Sequence, residues 1–162
     1  MSQPVPQGLS AESPDLRRQG ADSTPPDVPM SPVEIISDGE QPLVYLVRGS
    51  WVPQRTQFLT PDHLGQQVGM IVHNADDNVQ PHVHLPVVRK VQGTSECIVV
   101  RKGFCDIDIY NDRKQFLTSR ELRTGDIALL IAGGHGFRMH ENTILLEVKQ
   151  GPYMGQLDKE RF

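Results

Sequence analysis

The chain lacks what a membrane or a nucleic acid would require. It has no apolar run near the roughly 18 residues that span a bilayer, and residues 1–30 lack the basic-then-apolar pattern of a signal peptide. A soluble, cytoplasmic protein is expected. Lysines and arginines are scattered and the net charge is −4, so no basic stripe can track a phosphate backbone. Nucleic acid and membrane are excluded as expected partners, and a small-molecule substrate is favoured. Cysteine is scarce, with Cys97 and Cys105 alone, which suits reduced thiols in a reducing compartment. No segment has the period of a long helix, and no internal repeat of solenoid or propeller length is found.

Proline is plentiful but unevenly placed: seven of the thirteen fall in residues 1–32, a stretch with no aromatic residue. Such a segment cannot bury enough apolar surface to offset its ordering entropy, so residues 1–32 are expected to form a disordered tail and residues 33–162 one folded domain. Beyond the tail, short apolar stretches alternate with Gly, Pro, Asn and Asp, the pattern of an all-β sandwich or barrel. Strands are predicted over residues 43–47, 67–73, the stretch holding His82 and His84, 116–122, 127–131 and 143–149, with a hairpin over 96–110. In the last strand Ile144, Leu146 and Val148 share one face, and Leu145, Glu147 and Lys149 the other.

The hairpin carries the strongest local argument. With Lys102-Gly103 as a two-residue loop, Val100 pairs with Cys105, Ile98 with Ile107 and Glu96 with Ile109. Glu96, Ile98, Val100, Cys105, Ile107 and Ile109 then share one face, and Cys97, Arg101, Asp106 and Asp108 the other. Cys97 and Cys105 cannot bridge in that pairing. A carboxylate on an apolar face costs several kcal/mol unless it is paired, so the pattern asks for a cation near Glu96.

His82 and His84 lie one residue apart and so share a face if their segment is extended. His135 sits among Gly133, Gly134 and Gly136, which permit a turn that aims its ring inward. Together with Glu96 these three imidazoles form an N3O set suited to a divalent transition metal such as Zn, Mn, Fe or Ni. His63 and His140, the turn acids Asp76 and Asp77, and Asp106 and Asp108 read as ordinary surface groups.

Residues 66–150 resemble the cupin family. Its first motif is matched by His82, His84, Glu96 and Gly103, with eleven residues between His84 and Glu96, Leu85 to Ser95, in place of the usual three or four, expected to form a loop at a barrel mouth. Its second motif is matched by Gly125, Gly133 and His135, with Ile131 in place of a proline and the histidine one residue early. The run from Glu147 to Tyr153, followed by Asp158 and Lys159, is similar to small cupins associated with polysaccharide and nucleotide-sugar biosynthesis. The resemblance implies a jelly-roll double-stranded β-helix, and a metal that acts as a Lewis acid in sugar isomerisation or epimerisation. Fe(II) dioxygenase chemistry and a non-catalytic binding module are the alternatives. It also implies a homodimer paired through sheet edges near residues 33–47. His73, Lys149 and Tyr153 are the candidates for moving a proton, at least one of them within the cavity.

Overall fold

The longer strands form where branched and aromatic residues cluster between turn residues. The computed structural model describes residues 31–155 and 158–162, so the expected tail lies outside the described residues except for Ser31 and Pro32. The strands are β1 (Val33–Asp38), β2 (Gln41–Val47), β3 (Gln57–Phe58), β4 (Gly69–Met70), β5 (Glu96–Lys102), β6 (Phe104–Tyr110), β7 (Phe116–Arg123), β8 (Ile127–Leu130), β9 (Gly134–Met139) and β10 (Ile144–Lys149). Among the described residues no helix is long and apolar enough to cross a membrane.

Two antiparallel sheets enclose the core. One has the order β1-β2-β8-β5-β10, the other β7-β6-β9, and β3 pairs with β4 alone. Ile98, Val100, Ala128 and Leu130 from the larger sheet pack against Cys105, Ile107, Ile109 and Leu122 from the smaller one. Each such aliphatic side chain contributes about 1.5–3 kcal/mol of burial. The larger sheet is also covered on its other face, where Tyr45 and Leu129 meet Val68, Leu59 and Leu64. This double cover explains why Leu43 to Val47 reads as a continuous buried run rather than an alternation. The sheets stay open at their edges, and no closed barrel forms among the described residues.

Three strand expectations are corrected. β5 and β6 do not pair as a hairpin: β5 takes β8 and β10 as neighbours, and β6 takes β7 and β9. The chain crosses between the sheets at Gly103, whose φ is 82° and whose missing Cβ would stand 2.7 Å from the Asn142 carbonyl oxygen. The inward set was still right, because each strand aims alternate residues at the core whichever partner it has. The strand expected over 67–73 shrinks to β4, and the one carrying His82 and His84 is absent. Pro81 and Pro86 remove ladder donors there, and the segment has no neighbouring strand to pair with. Cys97 and Cys105 are free, and burial pushes both thiols above their usual range.

Candidate functional site

Glu96 opens β5 with its side chain inward, and its register neighbours are Leu130 on β8 and Lys149 on β10. His135 lies on β9 opposite Ile109, in the other sheet. The two meet across the sandwich, with Nε2 of His135 3.1 Å from Oε2 of Glu96. Gly133 makes this possible: its φ is 71°, and a Cβ there would stand 2.3 Å from the Tyr110 carbonyl oxygen, so a side chain would push β9 away from β6. His135 is therefore presented by a strand that follows a glycine turn, not by the turn itself.

Glu96 is only 7% exposed, and its charge is matched by two ammonium groups. Lys149 donates from Nζ to Oε1 at 3.4 Å, and Nζ of Lys159 lies 3.7 Å from the same oxygen. The cation that the sequence asked for is thus supplied by lysine. Lys149 also lies 3.2 Å from Glu147, and the hydrogen bond to Glu147, followed by that to Glu96, holds its ammonium above the usual range against burial. Burial pushes the Glu147 carboxyl up, but Lys149 and then Lys159 outweigh it and hold the group low.

Burial lowers the pKa of His135 from its ordinary 6.5, against the attraction of Glu96 and with help from Lys159. The ring is neutral at neutral pH. Two lone pairs cannot face each other at 3.1 Å, so the ring proton sits on Nε2, toward the carboxylate, and Nδ1 keeps its lone pair. A cavity of about 730 Å³ opens beside the pair, walled by Ile98, Leu130, Phe137 and Leu145. Phe162 closes one side by packing edge-to-face on Tyr110 with centroids 5.1 Å apart, next to a 2.7 Å ion pair between Lys114 and Glu160.

Of the four expected metal ligands the structure joins Glu96 and His135 and leaves the other two apart. His82 and His84 are exposed on the irregular segment 71–95, their rings close together with centroids 5.3 Å apart. Among the described residues no three His, Cys, Asp or Glu side chains converge as metal ligands, so this arrangement does not fit the expected metal. The cause is local: without a strand, the shared face of His82 and His84 has nothing to aim at.

Of the three proton-transfer candidates none lines the cavity, contrary to expectation, and Lys149 alone touches the site, through Glu96. His73 is exposed, 3.7 Å from Asp77, and Tyr153 is exposed with the Lys149 ammonium 4.8 Å from its ring centre. His140 and Asp106 make an outer pair at 2.8 Å beside Arg138, away from the cavity. Glu147 and Lys159 were missed as site residues. Glu147 could have been found, since it shares the inward-leaning face of Leu145 and Lys149, whereas no periodicity places Lys159. Comparison with protein-family models, with curated proteins and with solved structures found no match for this chain.

Proposed function

We propose that this is a cupin-like protein that moves a proton on a sugar or nucleotide-sugar, as an isomerase or epimerase does, with His135 as the acid-base group. The observation that carries the reading is the 3.1 Å approach of His135 Nε2 to the buried Glu96 carboxylate. Glu96 fixes the tautomer and stabilises the imidazolium that forms when Nδ1 takes a proton from a carbon next to a carbonyl. Lys159, which lines the cavity and lies 3.7 Å from the Glu96 carboxylate, supplies a positive charge beside the pair, suited to an oxygen that gains negative charge as that proton leaves. The cavity volume of about 730 Å³ lies within the range of small-ligand sites, about 300–1,000 Å³. The sugar class rests on the resemblance of residues 66–150 and of the run from Glu147 to Lys159. Proton transfer is preferred to dioxygen chemistry because its groups are already together, whereas the ligands for iron stand apart.

The test is solvent exchange. Sugar phosphates and nucleotide-sugars are incubated with the protein in D2O and analysed by mass spectrometry for deuterium gained at carbon. Exchange into one of them is expected, and His135→Asn should slow it by about 10²–10⁴-fold. A ligand that binds in the cavity and gains no deuterium would make the protein a binding module.

A further inference from the structure

The segment between β4 and β5, residues 71–95, is tied down at both ends, turns at residues 74–77 through a 2.7 Å hydrogen bond from the Asn74 amide to the Asp77 carboxylate, and is irregular beyond it. Thr56 holds Val72 through hydrogen bonds of 2.9 and 3.2 Å, and Gln150 accepts from the Ser95 amide at 2.8 Å. From Val79 to Val88 no backbone-to-backbone hydrogen bond is made among the described residues, and every side chain is exposed. Large apolar groups are among them, with Val83 83% and Leu85 76% exposed. Loops of this length without structure are uncommon in a compact domain and are usually functional.

Their order in the sequence points to the occupant. At strand spacing Val79, Pro81, Val83, Leu85 and Val87 would share one apolar face, while Gln80, His82, His84, Pro86 and Val88 would share the other. Asp76 and Asp77 precede this stretch, and Arg89 and Lys90 follow it at the same distance from Val83. An antiparallel copy centred on Val83 therefore sets Val79 against Val87 of the second copy, Pro81 against Leu85, and each acidic end against a basic end. A parallel copy would set like charges together.

We propose that residues 71–95 are the contact arm of a homodimer, in which two copies pair antiparallel about a two-fold axis at Val83. Pairing about one axis is self-complementary, as closed dimers require. The 25 residues of the arm match the roughly 20–30 that a partner contributes to a stable interface. A two-stranded ribbon alone is marginal in water, and in either pairing parity Pro81 or Pro86 of each copy withholds one ladder donor, so the ribbon needs further support. The exposed row Ile144, Leu146 and Val148 on the edge strand β10 supplies an apolar floor for it.

The 162-residue chain is studied by light scattering and by oxidation of Val83→Cys. A dimeric mass is expected, and Val83→Cys should form a covalent dimer across the axis. Asp76→Lys/Asp77→Lys should weaken the dimer by more than about tenfold, and adding Arg89→Glu/Lys90→Glu in the same chain should restore it. Circular dichroism confirms that each variant is folded. A monomeric native chain, a Val83→Cys dimer that stays non-covalent, or a dimer indifferent to charge reversal would overturn the pairing. The last of these would shift the interface to the other open edge, β1.

Discussion

Nε2 of His135 stands 3.1 Å from Oε2 of Glu96, although the two residues belong to different sheets and lie 39 positions apart. Neither the β5 alternation nor the glycine-rich turn produces this contact alone. It arises because the crossing at Gly103 and the tight turn at Gly133 bring the ends of β5 and β9 to the same rim of the sandwich.

Glu96→Ala should be the costliest change in the site, since it leaves Lys149 without its buried partner and opens a void beside Leu130. A loss of about 3 kcal/mol is expected from urea unfolding. Pairing Glu96→Leu with Lys149→Met should recover most of that stability while removing any activity. An Ala variant as stable as the native chain would show that the ion pairs around Glu96 carry no weight.

Acid should weaken the fold through His135. Its folded pKa lies below the ordinary 6.5, so above about pH 6.5 both folded and unfolded chains hold a neutral ring and this contribution is fully present. As pH falls through 6.5 the unfolded chain takes up a proton that the folded chain refuses, and stability drops until the folded ring titrates as well. His135→Gln should therefore lose less stability than the native chain between about pH 7.5 and about pH 5. Equal losses in the two proteins would contradict the lowered pKa.

Asp126 is a structural acid, away from the cavity. Its carboxylate accepts from the Gly49 amide at 2.7 Å, the Arg123 amide at 3.0 Å and Arg48 at 3.0 Å, which together lock the turn before β8 to the end of β2. Asp126→Ala should cost about 2–3 kcal/mol, read as a lower melting temperature, with ligand binding otherwise intact.

Chelation distinguishes two states of the arm. With His82 and His84 away from Glu96 and His135, a chelator should leave the melting temperature unchanged. A fall of several degrees would show that residues 71–95 move to bring all four groups onto one metal ion.

Much of the fold was legible because strand alternation is a local property. The inward set Glu96, Ile98, Val100, Cys105, Ile107 and Ile109 could be read from two strands without knowing their partners, and the need for a cation at Glu96 followed from it. The pairing was not legible. A Lys-Gly step at 102–103 is a good hairpin loop, and only packing against Asn142 and Thr143 shows that the chain changes sheets there. His82 and His84 misled for the same reason: spacing fixes which residues share a face, but not whether a neighbouring strand exists for them. Lys149 was placed on the correct strand and face, whereas Lys159 reaches Glu96 from an irregular segment that no pattern announces.

The central claim is that His135 is a neutral base whose proton is held on Nε2 by Glu96. Nitrogen-15 NMR of the imidazole ring tests it directly, since the two ring nitrogens give separate signals for the protonated and lone-pair sites. The account predicts, at neutral pH, a protonated Nε2 and a bare Nδ1, with a titration midpoint below 6.5 that moves lower still in Glu96→Gln. A proton on Nδ1, or a ring doubly protonated at neutral pH, would contradict it.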